Sequence, residues 1–386
     1  MKIRSIPSAK SLKGKRVLLR LDLNVPVVGS KITDDFKIIS ALPTILQLRS
    51  RPLIIISHRG EPTTKAGKYT YNSSYSLRPV ALKLKKYLGG KVFMAKGSWT
   101  DLKKQSVSLQ SGDIMIVENL RFWPGEVSND TTFAQNLASL ADVYINDAFA
   151  VSHRSHASVL AITKYMPSYA GPLLQQEIKN LNKVSHERSL VVILGGAKIS
   201  SKLPLIKKLL PRASAIIMGG GLANTLLKVR GNSIGTSLYE AKSMPAAKRL
   251  TSNKILLPVD VVVQSGKKIM IRSISEVQTK EKILDIGPET LSAYDAVISQ
   301  AKNIIWNGPM GFFENKNFQN GTKQIINSIQ KARREKSFSL AGGGETVEAI
   351  RALKAERSFN WVSTGGGASL TFLSGEPMPG LKGLID

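Results

Sequence analysis

Short, continuous runs of apolar residues recur along the whole chain, and this pattern restricts the fold more than any other feature of the sequence. The runs are Arg16–Leu23, Pro52–Ser57, Lys91–Ala95, Asp113–Val117, Asp142–Ile145, Ser189–Leu194, Ala213–Met218, Lys254–Val263, Asn303–Trp306, Ser337–Leu340 and Asn360–Val362. Continuous runs of this length are typical of parallel strands that are covered on both faces. Amphipathic stretches such as Ser76–Leu88, Thr131–Leu140, Tyr294–Lys302 and Gly321–Ala332 lie between them. The alternation predicts an α/β protein with right-handed crossovers.

The number of runs bears on the number of domains. Eleven strands would make a very wide single sheet, whereas 386 residues suffice for two or three domains. We therefore expect two doubly wound domains, joined near Met166–Leu174, where two prolines and a glycine interrupt the pattern. The following stretch, Leu173–Val184, reads as one helix. It is either the connector or an ordinary surface helix of the second domain.

Composition excludes several classes of protein. The chain has no cysteine, which excludes disulfide scaffolds, thiolate metal sites and cysteine nucleophiles and suits a reducing cytosol. No apolar run approaches the length of a membrane-spanning helix. The basic start, MKIRSIPSAKSLKGKR, lacks a following apolar segment, so it does not read as a secretory signal.

The chain is strongly basic, with a formal net charge of +28. The excess is evenly spread, since residues 1–170 hold 25 basic and 11 acidic residues and residues 171–386 hold 30 and 16. Such a charge attracts anionic substrates or nucleic acid, although it is also found on solvated lysine-rich surfaces. Aromatic residues interleaved with the basic ones would favour a nucleic-acid-binding surface, and the sequence shows no such pattern.

Residues just after the strands of a doubly wound sheet lie where ligands bind. In the first half these positions carry Asp22, Asn24, the triplet Ser57-His58-Arg59, Arg121 and, after Asn146-Asp147, Arg154. Arginine matches the oxygens of carboxylates and phosphates, so the convergence predicts a small-anion site. Any one of these arginines alone reads equally well as a structural cap or a surface ion pair.

In the second half the strand ends are rich in glycine. The turns are Gly195-Gly196-Ala197-Lys198, Gly219-Gly220-Gly221, Asn307-Gly308-Pro309, Gly342-Gly343-Gly344 and Gly365-Gly366-Gly367. Glycine lets backbone amides approach an anion, and all but the Asn-Gly-Pro turn lead into a predicted helix. The repetition predicts a polyphosphate or nucleotide cradle, with Lys198 and Lys202 on one helical face.

Several standard motifs are absent. The sequence contains no P-loop, no G-x-G-x-x-G fingerprint and no protein-kinase H-R-D or D-F-G motif. The histidines are His58, His153, His156 and His186. Only His153 and His156 have a spacing that suits a metal, and the neighbouring Arg154 argues against zinc there.

The ordered motifs resemble those of the phosphoglycerate kinase family from end to end. The matching blocks are GKRVLLRLDLNVPV, SHRGEP, ENLRF, DVYINDAF, HRSHAS, LGGAKIS, IMGGGLANTLL, GTSLYE, LPVDVVV, IGPET, IWNGPMGFFE, AGGGET and VSTGGGASL. The resemblance implies two Rossmann-like doubly wound parallel-sheet domains that face each other across a hinged cleft. The implied bounds are 1–170 plus 371–386 for a phosphoglycerate-binding domain, 171–187 for a connecting helix and 188–370 for a nucleotide-binding domain.

The implied reaction is reversible phosphoryl transfer from 1,3-bisphosphoglycerate to MgADP, which gives 3-phosphoglycerate and MgATP in glycolysis and gluconeogenesis. The resemblance further implies a cytoplasmic monomer that uses Mg²⁺ and binds neither membranes nor nucleic acid. Substrate-binding residues would be Asp22, Asn24, Lys37, His58, Arg59, Arg121 and Arg154. Nucleotide-binding residues would be Gly196, Ala197, Lys198, Lys202, Gly287, Asn307, Glu314, Gly343, Gly344, Glu345 and Thr346. The catalytic groups would be Lys202, Lys37, Gly344 and Gly367, with Glu345 on the metal.

The chain departs from the family pattern at functional positions. Lys37 stands for a catalytic arginine, Glu61 for a substrate-side arginine and Glu345 for the metal-binding aspartate, and a family FGT is here Phe149-Ala150-Val151. Arg59 is two residues from Glu61, and two interpretations stay open. Either Arg59 takes the place of the missing arginine and forms an ion pair with Glu61, or the substrate-side contact is simply lost. Two hypotheses follow: a working kinase with altered kinetic constants, or a weakened, kinase-derived nucleotide-binding protein whose basic surface binds nucleic acid.

Overall fold

The structure, a computed structural model, describes residues 3–8, 10–62, 69–185 and 189–385. His186 and the end of the expected connecting segment lie outside these residues. The chain divides into two compact units, which are Met1–Ile178 with Pro377–Asp386 and Lys179–Glu376.

The first unit is built on a parallel sheet of six strands. The strands of this sheet are β1 (Val17–Arg20), β4 (Leu53–Ile56), β5 (Val92–Met94), β6 (Ile114–Ile116), β7 (Val143–Asn146) and β8 (Ser168–Ala170). Two further strands, β2 (Val27–Val28) and β3 (Lys31–Ile32), form a separate antiparallel hairpin. The strand order is β5-β6-β4-β1-β7-β8. Every residue of β1 is buried, and Leu18 and Leu19 enter two different hydrophobic cores. The continuous apolar runs are therefore strands covered on both faces, as predicted.

Helices supply the cover on both faces of this sheet. The helices in this part of the chain are α1 (Phe36–Leu48), α2 (Arg78–Leu88), α3 (Trp99–Val107), α4 (Pro124–Val127), α5 (Thr131–Ala138) and α6 (Pro172–Ser185). Residues from α1 and α2 enter one core, and residues from α3 and α5 enter the other. The boundary between the two units falls inside α6, between Ile178 and Lys179.

The second unit has a parallel six-stranded sheet of its own, in the order β11-β10-β9-β15-β16-β17, and an antiparallel sheet in the order β13-β12-β14. The strands are β9 (Leu190–Leu194), β10 (Ala213–Met218), β11 (Ile255–Leu256), β12 (Asp260–Ser265), β13 (Lys268–Ser273), β14 (Lys282–Ile286), β15 (Asn303–Asn307), β16 (Phe338–Ala341) and β17 (Trp361–Val362). The helices are α7 (Leu203–Leu209), α8 (Gly220–Val229), α9 (Met244–Ala247), α10 (Pro288–Ser299), α11 (Asn320–Arg334), α12 (Gly344–Ala352) and α13 (Gly367–Leu373). The predicted α/β class with two parallel sheets is confirmed.

The last residues of the chain pack on the first unit. A short helix, α14 (Pro379–Lys382), precedes Ile385, which forms an antiparallel bridge with Ile3. The Gly380 amide donates to the carbonyl of Ser152 at 2.8 Å. The first unit is thus made from two stretches of chain that are distant in sequence.

Some predicted boundaries are wrong. The apolar run Lys254–Val263 is two strands, β11 and β12, because the segment around Pro258 interrupts it. The helix predicted over Tyr294–Lys302 is α10, which begins earlier, at Pro288, where proline suits the first turn of a helix. No helix among the described residues is long and apolar enough to cross a membrane.

Candidate functional sites in the two units

A cluster of basic residues lies beyond the carboxyl ends of β1 and β4. Arg20 ends β1, and His58 follows β4 by two residues. Burial lowers the pKa of His58 well below its ordinary value, and the positive charges of Arg20, Arg121, Lys37 and Arg154 lower this pKa further. His58 is thus a neutral imidazole surrounded by four cations, an arrangement that favours an anionic ligand.

Lys37 and Asp22 form a close ion pair in this cluster. Lys37 lies in the first turn of α1, and its Nζ donates to Asp22 Oδ2 at 2.6 Å. The Asp22 side chain also accepts from the backbone amide of Asn24 at 3.1 Å. Asp22 therefore fixes both Lys37 and Asn24 at this edge of the sheet.

Arg121 carries a donor that nothing in the described part of the chain uses. Its side chain is only 5% exposed, and its Nη1 donates to the carbonyl of Gly60 at 2.6 Å. Its Nε is buried and lacks a hydrogen-bond partner among the described residues. Burial also lowers the pKa of Arg121. A buried donor without a partner is costly, so a ligand oxygen is a chemically suitable partner for it.

Arg59 is directed into the protein's own backbone. Its Nε donates to the carbonyl of Ser76 at 3.0 Å, and its Nη2 donates to the carbonyl of Ser74. The Arg59 side chain is buried, and burial lowers its pKa. The expectation that Arg59 supplies a substrate contact is not supported by this geometry, because these donors hold the segment Ser74–Ser76 in place.

Glu61 pairs with the arginines of the basic cluster. Its Oε1 lies 3.4 Å from Arg121 Nη1 and 3.5 Å from Arg154 Nη1. The alternative in which Glu61 is the partner of Arg59 is therefore wrong. The basic cluster of the first unit thus includes a carboxylate.

A buried network beneath the cluster was missed by the sequence analysis. The Nε of Arg20 donates to Ser158 Oγ at 3.0 Å, and Ser158 Oγ donates to Glu126 Oε1 at 2.6 Å. His156 Nδ1 lies 3.7 Å from the same Glu126 oxygen. Burial, together with nearby arginines, lowers the pKa of His156 to about 3. The one available signal was Arg20, a charged residue inside an otherwise apolar strand.

The second unit has a polar cavity of about 410 Å³ among its glycine-rich turns. It is lined by Gly195, Gly196, Ala197, Lys198, Ser201, Lys202, Asn307, Gly308, Gly343, Gly344, Glu345, Thr346, Gly366, Gly367 and Leu370. Most of the predicted nucleotide-binding residues are therefore brought together. The amino end of α12, which begins at Gly344, supplies free backbone amides at this cavity.

Lys202 is fixed at the polar cavity. Its Nζ donates to Asn307 Oδ1, and the Asn307 amide donates in turn to the carbonyl of Gly342 at 2.5 Å. Burial lowers the pKa of Lys202, while the charge of Glu345 acts in the opposite direction. The Thr346 hydroxyl accepts from the amide of Gly308 at 2.6 Å, which joins two of the turns.

A second, more apolar cavity of about 280 Å³ adjoins the first. Residues from the segments after β9 and β10, from β14 and from Pro309–Phe312 line it, together with Glu314 and Glu345. Gly196, Ala197 and Glu345 line both cavities. An apolar space continuous with a polar one suits a base and a polyphosphate.

Two other residues at this end of the sheet have different roles. Gly287 lines neither cavity, and a Cβ at this position would collide with the Asp260 side chain, so its place in the nucleotide site stays a prediction. Asp285 lines the apolar cavity, accepts from the amides of Gly321 and Ile286, and has a pKa raised to about 7 by burial.

The candidate metal ligands of the described residues do not form a cluster. No group of three or more His, Cys, Asp or Glu side chains that could hold a metal occurs within the described ranges. Glu345 stands alone at the polar cavity, and its Oε2 would be 2.9 Å from a Cβ at Gly196. One carboxylate beside a phosphate cradle fits Mg²⁺, which commonly takes one or two carboxylates together with phosphate oxygens and water.

Comparisons with known proteins agree with this architecture. The sequence model described as phosphoglycerate kinase matches residues 8–376. The chain is 38% identical to a phosphoglycerate kinase of Pelotomaculum thermopropionicum over 97% of each chain. It is 40% identical to one of Thermomicrobium roseum, over 96% of this chain and 97% of the relative. The structure of phosphoglycerate kinase from Coxiella burnetii superposes with a TM-score of 0.84 at 37% identity, covering 97% of this chain and 96% of that one.

Proposed function

The chain belongs to the phosphoglycerate kinase family, phosphotransferases with a carboxyl group as acceptor, and we propose from this premise that its two units divide the substrates between them. The first unit would bind 3-phosphoglycerate or 1,3-bisphosphoglycerate, and the second would bind ADP or ATP. The observation that carries this division is that the two units offer different binding groups. The first unit has a cluster of basic residues, and the second has a glycine-lined cavity with two lysines.

On the phosphoglycerate side we assign six residues to the substrate: Asp22, Asn24, Lys37, His58, Arg121 and Arg154. Arg121 offers its unpartnered Nε, and Arg154 is partly exposed. Neutral His58 is suited to hydrogen bonding rather than to charge pairing. Arg59 is left out of this assignment because its donors are engaged by backbone carbonyls.

On the nucleotide side we assign the phosphates to Lys198, Lys202 and the turns that carry Gly196, Gly343 and Gly344. Asn307 would hold Lys202 in position, and Thr346 would fix the turn around Gly308. The base would occupy the apolar cavity, where Glu314 is available to the ribose. Glu345 would hold Mg²⁺, which neutralises phosphate oxygens when it is bound with the nucleotide.

The chemistry asks little covalent work of the protein. In the direction of ATP synthesis, a β-phosphate oxygen of ADP attacks the acyl phosphorus, and the bond from phosphorus to the carboxyl oxygen breaks. The attacking oxygen is already ionised at neutral pH and the carboxyl oxygen leaves as a carboxylate, which is stable there, so neither a general base nor a general acid is required. The protein contributes positioning and neutralisation of charge on the transferring group. We assign these tasks to Lys202, Lys37 and the backbone amides of Gly344 and Gly367.

The hypothesis of a weakened, kinase-derived binding protein is not favoured, because curated kinases match the chain over nearly its full length. Lys37 keeps the positive charge of the arginine that it replaces and is held by Asp22. A hinge between the units, a monomeric state and a cytoplasmic location stay predictions.

The function is tested by a coupled assay with 3-phosphoglycerate and MgATP. We expect turnover by the unmodified chain and a loss of about 100-fold or more in kcat for Lys202→Ala, which is the scale for one preorganised donor. Lys207→Ala, five residues away and exposed, is the matched control and should keep full activity. Turnover that is absent from the unmodified chain, or unchanged in Lys202→Ala, would contradict the proposal.

A further inference from the structure

The Glu61 carboxylate occupies the arginines of the anion site. Its Oε1 lies within 3.5 Å of guanidinium nitrogens on both Arg121 and Arg154. Carboxylate on guanidinium is the same chemistry that this site would offer to a substrate anion. The Glu61 side chain is nevertheless 77% exposed, so it lies at the mouth of the site and not in its interior.

The backbone that carries Glu61 is fixed by residues of the same site. Asn24 Oδ1 accepts from the Gly60 amide at 2.9 Å, and Arg121 Nη1 donates to the Gly60 carbonyl at 2.6 Å. Gly60 has a φ of +60°, and a Cβ there would collide with the Tyr75 ring. Gly60 is therefore held through both its amide and its carbonyl, and the exposed Glu61 side chain extends from this fixed residue.

We propose that Glu61 is an internal anion that competes with the substrate for Arg121 and Arg154, and so lowers the affinity of the phosphoglycerate site for its substrate. The proposal rests on the function assigned above to the first unit. An anion that binds both arginines displaces Glu61, and its apparent affinity is reduced by the fraction of molecules in which Glu61 holds them.

The arginine geometry gives the substrate an advantage over Glu61. Glu61 contacts Arg121 only through Nη1, whereas Arg121 Nε has no partner among the described residues. Because Nε lies on the edge of the guanidinium away from Nη1, a phosphate contacts it from that other edge, with Nη2 as the second donor of the bidentate pair. Exposed ion pairs are weak, so the contacts of Glu61 are readily exchanged for these stronger ones.

The test compares Glu61→Gln with Glu335→Gln, an exposed glutamate of the second unit that gives the same change in net charge. For Glu61→Gln we expect the KM for 3-phosphoglycerate to fall about fivefold, the upper end of the scale for an exposed ion pair. The KM for MgATP and kcat should stay within about twofold, and Glu335→Gln should leave all three constants unchanged. An unchanged or higher KM for 3-phosphoglycerate in Glu61→Gln would overturn the proposal.

A binding measurement separates this proposal from the function on which it rests. Thermal shift of the full chain is followed against inorganic phosphate and against acetate, with no turnover required. In Glu61→Gln we expect phosphate and acetate both to act at lower concentration by a similar factor, because a competitor that both must displace weakens both alike. If the unmodified chain lacks turnover but these shifts occur, the kinase assignment fails while the role of Glu61 stands. The role of Glu61 would be refuted if the phosphate concentration at half of the maximal thermal shift, the phosphate midpoint, were the same in Glu61→Gln and in the unmodified chain.

A double-mutant cycle locates the effect. In an Arg154→Gln background the Glu61→Gln change should lower the phosphate midpoint by a smaller factor, because one of the two contested arginines is gone. An undiminished effect would show that Glu61 acts through general charge and not through the arginine pair, which would overturn the proposal.

Discussion

Lys37 shows how one side chain can keep a charge and still alter a site. Its ammonium group lies 2.6 Å from Asp22, so its position is set by that carboxylate. Arginine at the same place would offer a planar fork, able to contact Asp22 and a substrate oxygen together. Lysine supplies a point charge, whose direction is less defined.

We expect Lys37→Met to lower kcat about 100-fold or more, because it removes a preorganised positive charge, and Lys37→Arg to raise kcat above that of the unmodified chain. Steady-state kinetics measures both. Lys31→Met, on the exposed β2–β3 hairpin, is the control for loss of a positive charge. A normal kcat for Lys37→Met would contradict the proposed role of Lys37 at the transferring phosphoryl group.

Glu345 allows a second test at the same scale. If Glu345 holds the metal, Glu345→Ala should weaken binding of MgADP about tenfold more than binding of metal-free ADP. Glu345→Asp, one methylene shorter, should bind MgADP nearly as well as the unmodified chain. Calorimetry with and without Mg²⁺ measures the difference. Equal losses for the two forms of ADP would mean that Glu345 only packs against the Gly196 turn.

At the scale of elements, the buried network beneath the anion site joins β1 to α4 and to the segment after β7. Arg20, Ser158, Glu126 and His156 meet there, and Glu126 is fully buried. Removing one member of such a network leaves the others without partners in a dry environment. Protonation of His156 would therefore add a further charge to this buried network.

We predict that His156 makes the free energy of unfolding fall as the pH decreases from about 6.5. The folded-state pKa of His156 is about 3, so the unfolded chain takes up the proton first and is favoured at low pH. At pH 5 this contribution is about 2 kcal/mol. Urea unfolding between pH 5 and pH 7.5 measures it. His156→Gln should show a shallower pH dependence, and an identical slope would contradict the prediction.

Elements also show what sequence reasoning can and cannot reach. Continuous apolar runs reveal buried strands because burial on both faces leaves no polar positions. The antiparallel strand β13 was missed because most of its residues are exposed and it gives no such run. The strand β14 was missed although most of its residues are buried, because Lys282 and Asp285 interrupt its apolar pattern. The orientation of the Arg59 side chain could not be predicted from the sequence either. A strand-end arginine looks the same in sequence whether it meets a substrate or the carbonyls of Ser74 and Ser76.

At the scale of the whole molecule, the net charge of +28 is spread over both units. Positive charges repel one another when the chain is folded. At a salt concentration of 0.1 M this repulsion is largely screened between charges that are more than about 10 Å apart. We expect the melting temperature at pH 7.5 to rise by several degrees as NaCl is raised from about 20 mM to about 300 mM. Differential scanning calorimetry measures this. Chloride should be used, because phosphate or sulfate would also bind the anion site. A flat or falling melting temperature would show that the charges are already compensated.

The same charge should draw anionic substrates toward the protein. Screening then weakens the attraction, so the KM for 3-phosphoglycerate should increase over the same range of NaCl. The sequence alone revealed the size and even spread of this charge. It did not reveal that one carboxylate, Glu61, lies directly on the arginines that the substrate would use.

The way the chain enters and leaves the second unit has a consequence for its synthesis. Lys179–Glu376 is one unbroken stretch, whereas the first unit also needs Pro377–Asp386, where Ile385 bridges Ile3 and Gly380 bonds Ser152. A ribosome makes residues in order, so Pro377–Asp386 is made after every residue of the second unit. The segment around Ile3 therefore has no Ile385 to pair with until Lys179–Glu376 has been synthesised. The two units therefore finish in the reverse of the order in which they start.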